Sequence, residues 1–166
     1  MRTRAIEKQS WEVLAALLTP ANRLVVEIML RTGLRVSDVL GIRTAQLKQR
    51  FTVTESKTGK SKQVSLSKSL LERLRAQAGS VWLFEGQRDT SKHRTRQAVW
   101  SDIKRAAKAM RLTGVVAPHS ARKSVAVDEY RKSGSVDVVR QKLNHDRIDT
   151  TLLYLLSELT KASGGV

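Results

Sequence analysis

The sequence predicts an α+β fold that is mostly α-helical, a single domain of 166 residues with one small antiparallel β-hairpin. Three observations lead there. Apolar residues recur at helical spacing through most of the chain, and the period changes to two only between Phe51 and Leu66. The length, at 40% hydrophobic content, suffices for one sizeable core and is short for two. A flexible tail is expected over 160–166, which closes on Ser163-Gly164-Gly165-Val166.

The elements follow in order. Ser10 is placed to cap a short helix whose Trp11, Val13, Leu14, Leu17 and Leu18 share a face. Pro20 opens a second helix, from about Asn22 to Arg31, which Gly33 ends as a left-handed cap. After a turn at Leu34-Arg35, Ser37 or Asp38 starts a segment carrying Val39, Leu40 and Ile42. Phe51-Thr52-Val53-Thr54-Glu55 and Lys62-Gln63-Val64-Ser65-Leu66 alternate around Lys57-Thr58-Gly59-Lys60, the pattern of a β-hairpin. Ser67 restarts helix to about Ala78, and Val81-Trp82-Leu83-Phe84 reads as a third strand or a buried turn. Helices are then expected from about Arg96 to Met110, from His119 to Lys132 behind Pro118, from Ser135 or Asp137 to Leu143, and from Asp149 to Leu159.

Charge is the first functional clue. Lys+Arg 31 against Asp+Glu 15 gives a net +16, which suits a polyanionic partner whose counterions are released on binding. Aromatics at 4% argue against single strands held by base stacking and leave backbone contacts to a duplex. The absence of cysteine removes disulfides, thiolate chemistry and the usual zinc clusters, and the three histidines lack ligand-like spacing, so no metal is expected. No apolar run approaches the ~18 residues of a membrane span, and Met1-Arg2-Thr3-Arg4 lacks a signal sequence, so the expected location is cytoplasmic.

Several residues could carry chemistry, and each alone also has an ordinary reading. Behind Pro118, His119 and Arg122 fall three apart in a first helical turn, where backbone N–H groups and the helix dipole favour an anion. The same pair also reads as surface residues in an arginine-rich chain. Arg35 sits at a turn with Asp38 three residues on, as a pre-positioned guanidinium or a surface ion pair. Lys57 at the hairpin tip can swing over a ligand or simply be solvated. His145 and Tyr154 are nine residues apart, which one continuous helix would place on opposite faces. The turn and cap in Asp146-Arg147-Ile148-Asp149-Thr150 make convergence possible, although Leu152-Leu153-Tyr154-Leu155-Leu156 is also what a core tyrosine looks like.

Taken together, in this order and spacing, these elements resemble the catalytic domain of the tyrosine recombinases, the phage integrase family. The matching stretches are Thr32-Gly33-Leu34-Arg35-Val36-Ser37-Asp38, Ser56-Lys57-Thr58-Gly59, His119-Ser120-Ala121-Arg122, and Leu143-Asn144-His145 followed by Tyr154. The likeness runs from about Trp11 to Leu159. The chain departs from the family in two places. Asn144 stands where the family commonly has Gly, and Asn tolerates a left-handed turn. Ala121 stands where a Leu is common, so packing there must differ.

The resemblance implies a site-specific DNA recombinase or integrase working through a 3′-phosphotyrosyl intermediate without metal or nucleotide cofactor. It implies Tyr154 as nucleophile, Arg35, Arg122 and His145 on the non-bridging oxygens, Lys57 as acid for the leaving 5′-oxygen, His119 assisting proton removal, and Asp38 orienting Arg35. Lys60, Lys62, Lys123 and Arg147 are the expected further contacts to DNA. The implied partners are double-stranded DNA and, on it, other recombinase protomers in a tetrameric synapse; without DNA the chain is expected to be mainly monomeric, prokaryotic or phage-encoded, with no membrane. Only 34 residues precede Arg35, so no N-terminal core-binding domain is expected over 1–166. Two alternatives share the fold: a type IB topoisomerase, and a non-catalytic DNA-binding regulator, against which the intact Arg35, Lys57, Arg122 and Tyr154 argue.

Overall fold

The computed structural model describes residues 3–145 and, beyond them, Ile148, Thr151 and Leu155. Its elements run α1 (Lys8–Ala16), α2 (Pro20–Thr32), α3 (Val36–Leu40), a 3-10 turn (Thr44–Gln46), β1 (Arg50–Thr54), β2 (Ser61–Ser65), α4 (Lys68–Gln77), α5 (Arg96–Ala109), α6 (Pro118–Ser133) and α7 (Val136–Leu143). This is the expected mostly helical α+β architecture. No described helix is long and apolar enough to cross a membrane.

α2 is the central strut. It buries Leu24, Val25, Val26, Ile28 and Met29 and packs against α1, α3, α5 and α6. Pro20 opens it, and Gly33 closes it in the left-handed region at φ 71°, its N–H on the Met29 carbonyl at 2.7 Å. A Cβ at Gly33 would lie 3.0 Å from Leu143 Cδ2, so this glycine supplies both the turn and the close approach of α7. Ser67 and Ser135 cap α4 and α7 with their hydroxyls, as the sequence predicts.

The hairpin pairs β1 and β2 antiparallel, with Phe51 opposite Val64 and Val53 opposite Lys62. Its inward face follows the alternation: Phe51 and Val53 on β1 with Glu55 just past its end, Val64 and the half-buried Lys62 on β2. Two local expectations change. Ser10 lies inside α1 rather than at its cap; Glu7 is the cap residue, without a side-chain bond. Tertiary contact holds this helix instead, through the Trp11 indole N–H on Ser124 Oγ at 2.9 Å. Of the expected apolar face, Trp11, Leu14 and Leu18 are buried, while Val13 and Leu17 point to solvent. Val81–Phe84 forms no third strand, because Trp82 makes one isolated bridge to Arg43 and Glu85 another to His93.

α6 is enclosed over its first half. Pro118, Ser120 to Val127 are buried although several are polar, because α6 runs between α2, α5 and α7 and the N-terminal segment crosses it. Ser124 Oγ takes the Ile6 N–H and donates to the Ile6 carbonyl at 2.7 Å, and Ser120 Oγ accepts the Ala117 N–H. A smaller core lies between α6 and α7: Val125, Ala126, Val127, Val139, Leu143 and Leu155.

Candidate active site

The site forms where the end of α2, the hairpin turn, the start of α6 and the end of α7 meet. Arg122 is its buried centre, 2% exposed. Nη1 donates to the Gly33 carbonyl at 2.5 Å and Nη2 to the Leu143 carbonyl at 2.6 Å. Both carbonyls lie at helix C-termini, where the macrodipole is negative, so one guanidinium binds the ends of α2 and α7 together. Lys62 Nζ donates to the next carbonyl in α7, that of Lys142. Burial pushes the Lys62 ammonium down to about 8, the neighbouring Arg122 charge adds to the fall, and Glu55 opposes it.

Arg35 stands in the turn before α3 with its side chain 23% exposed. Glu55, completely buried, accepts a hydrogen bond from Arg35 Nη1. Asp38 Oδ2 lies 3.9 Å from the same nitrogen. Asp38 places its hydrogen bonds elsewhere: Oδ1 accepts Ser56 N–H at 2.9 Å and Ser56 O–H at 2.8 Å, fixing the start of the hairpin turn. The nearer partner of Arg35 is thus Glu55, which the sequence reading did not single out. Its signal was present: Glu55 is the third inward position of the 51, 53, 55 alternation, and an acid in an apolar slot needs a cation.

Asn144 adopts the left-handed conformation, φ 56° and ψ 36°, so the turn survives the departure from Gly. Its Nδ2 donates to Glu55 Oε1 at 3.0 Å. The next residue, His145, is half-buried; its N–H donates to the Arg140 carbonyl at 3.0 Å, and its Nδ1 lies 2.8 Å from Thr151 Oγ1. Ala121, the other departure, is fully buried against the core.

The structure therefore brings Arg35, Asp38, Arg122, His145 and Lys62 into one hydrogen-bonded neighbourhood. His119 is exposed on the first turn of α6, one turn from the buried Arg122. Lys57 is exposed in the hairpin turn and Lys60 half-buried at its exit. Lys123 is withdrawn from the expected DNA contacts, because it is buried with Nζ on the Thr3 carbonyl at 2.7 Å. Tyr154 and Arg147 lie outside the described residues.

The model of the phage integrase family takes in residues 6–159. Tyrosine recombinase XerD of Rhizobium meliloti (strain 1021) is 30% identical over 140 residues, 78% of this chain and 45% of that protein. XerD of Lacticaseibacillus casei is 29% identical over 150 residues, 80% of this chain and 49% of its own. The chain thus spans about half the length of the curated relatives it matches.

Among solved structures, XerH recombinase bound to a palindromic difH substrate superposes with TM-score 0.76 at 18% identity, covering 98% of this chain and 53% of that one. A lambda integrase dimer bound to a COC′ core site gives 0.75 at 22%, covering 93% and 60%. The catalytic domain of bacteriophage HP1 integrase gives 0.71 at 20%, covering 95% and 89%. At these identities the structures speak for the fold, and the match over residues 6–159 speaks for the lineage: the chain belongs to the phage integrase family.

Proposed function

We propose that this chain is the catalytic domain of a site-specific recombinase that cuts and rejoins duplex DNA with Tyr154 as nucleophile. The observation that carries the reading is the joining of three sequence-distant groups. Arg35, Arg122 and the His145 turn are held together through Gly33, Leu143, Glu55 and Asn144, with Lys62 beside them. Three cations there face two carboxylates, Glu55 and Asp38, so a phosphate completes the balance.

In the proposed reaction the Tyr154 oxygen attacks the scissile phosphorus, and the P–O5′ bond breaks. The 3′-phosphate remains on the tyrosine while the 5′-oxygen leaves as a hydroxyl, taking a proton from Lys57. Reversal by the 5′-hydroxyl of another strand restores a phosphodiester, and the covalent bond conserves its energy. Arg35, Arg122 and His145 stabilise the charge that builds on the non-bridging oxygens. His119 helps remove the phenolic proton, needed because an ordinary tyrosine titrates near ~10. Lys60, Lys62 and Arg147 add contacts to the DNA backbone. Other protomers join on DNA, as in the lambda integrase dimer on its core site, and without DNA the chain is mainly a monomer.

Nicked suicide duplexes with randomised arms test this. Wild type should give a covalent protein–DNA band on a denaturing gel, and Tyr154→Phe should give none. No band with wild type, or a band that persists in the variant, overturns the assignment. A sedimentation profile showing a stable tetramer without DNA contradicts the proposed monomer.

A further inference from the structure

We infer that Glu55 and Asn144 form a positioning pair that aims Arg35 at the scissile phosphate and ties it to the His145 turn. The inference rests on the recombinase reading, in which Arg35 is a phosphate clamp.

The geometry is that of a bridge. Glu55 carries two carboxylate oxygens and uses one for each side: Oε2 takes Arg35 Nη1, and Oε1 takes Asn144 Nδ2 at 3.0 Å. Its backbone is fixed as firmly, since its N–H donates to the Lys60 carbonyl and its carbonyl accepts the Gly59 N–H, both at 2.8 Å. The carboxylate thus hangs from the closed end of the hairpin, completely buried. A buried acid with both oxygens engaged has little freedom, and what it binds inherits that order.

The effect on Arg35 is directional. Glu55 and Asp38 both address Nη1. They hold the guanidinium from one corner and leave the Nη2 and Nε edge to present a parallel pair of N–H groups, the geometry suited to two phosphate oxygens. Asn144 extends the same order to the histidine. It is the last residue before His145 and sits in the left-handed cap of α7. A glycine would make that turn equally well but could not donate to Glu55. The departure from the family's usual Gly therefore has a function in this chain: its amide joins the hairpin acid to the histidine turn.

Glu55 touches neither the phosphate nor the nucleophile in this scheme, so it is a positioning residue and its signature is kinetic. With the full chain and nicked suicide duplexes carrying randomised arms, Glu55→Gln should form adduct about ten- to a hundredfold more slowly at saturating DNA. Non-covalent affinity, read by gel shift with the same duplexes, should move less than about twofold. Asn144→Gly keeps the turn and should also slow cleavage. The double variant should be no slower than the slower single one, because both changes break one bridge.

NMR of the free protein gives an independent view: hindered rotation that separates the Arg35 guanidinium protons should be lost in both single variants while the backbone spectrum is retained. An active wild type with unaltered cleavage in Glu55→Gln overturns the inference alone. So do additive effects of the two changes, unaltered Arg35 guanidinium signals in both variants, or a faster, tighter-binding Glu55→Gln, which would make Glu55 a competitor of the phosphate. Absence of any adduct with wild type overturns the recombinase reading and this inference with it.

Discussion

Helix α2 ends on buried ions of opposite sign, Asp102 at its N-terminus and Arg122 at its C-terminus, and the two ends are finished differently. At the first, Asp102 Oδ2 accepts Thr19 N–H and O–H at 2.9 Å each and Asn22 Nδ2 at 2.7 Å. Oδ1 accepts Arg105 Nη2 at 2.6 Å, and Asn22 Oδ1 passes the network on to Arg94 Nε at 2.6 Å. Both carboxylate oxygens are used, and the dipole of α2 favours the charge. At the second end, cations rest on backbone carbonyls, Arg35 leans on Glu55, and Asp38 Oδ2 accepts no hydrogen bond among the described residues. The first end closes the structure. On the proposed reading, the second keeps the Nη2 and Nε edge of Arg35 for a phosphate.

The largest expected effect comes from breaking the second end at its centre. Arg122→Lys keeps the charge, but one ammonium cannot span the Gly33 and Leu143 carbonyls as the planar fork does. Single-turnover adduct formation should fall about 10²–10³-fold. A loss within threefold would show that charge suffices and that the fork is dispensable.

Asp102→Ala attacks the other end and should cost about 2–3 kcal/mol in chemical denaturation, from donors left unpaired at a buried site. Cleavage should be unchanged wherever the variant is folded. Burial works against the Asp102 charge, but bonds from Asn22, Thr19 and Arg105 outweigh it and hold the carboxyl below its usual range. That contribution is full above about pH 4 and fades as pH falls through the folded pKa, so the stability gap to Asp102→Asn should narrow in acid.

Asp38→Asn sharpens the contrast at lower cost. The carbonyl oxygen can still receive Ser56, so stability should shift by less than about 0.5 kcal/mol, while loss of charge beside Arg35 slows cleavage about tenfold. If stability drops as far as in the Asp102 variant, the two ends do not differ as argued. The remaining contrast is a pH signature of Lys62. Its folded pKa of about 8 lies below the ordinary 10.5, so the folded protein binds fewer protons between those values, and stability should rise across that window. Lys62→Met should lack the rise.

Much of this was legible beforehand, and the residues show why. Gly33, Ser67, Ser135 and the hairpin were readable because turns, caps and alternation are local chemistry. The grouping of Arg35, Arg122 and His145 was readable only through the family resemblance, since α6 has no apolar stripe to reveal that Arg122 points inward. Glu55 went unnoticed because its meaning depends on Asn144, 89 residues away, and no local pattern joins them. Lys123 misled for the same reason: beside a buried arginine it reads as another DNA contact, yet the N-terminal segment takes its ammonium. Ser10 had the composition of a cap, but α1 is fixed by Trp11 against α6.

The end of α7 also bears on how sequences of this kind can drift in length. Lys142 and Leu143 give their carbonyls to Lys62 and Arg122, Asn144 gives its amide to Glu55, and His145 follows at once. One residue inserted or deleted in α7 ahead of Lys142 would rotate the end of the helix by about 100° and detach all three contacts together. The hairpin turn is restrained as well, since Glu55 pairs its N–H with the Lys60 carbonyl and its carbonyl with the Gly59 N–H, and Gly59 sits in the left-handed region at φ 68°. Descendants of this chain are therefore held to a fixed count both across the hairpin turn and from Lys142 to His145.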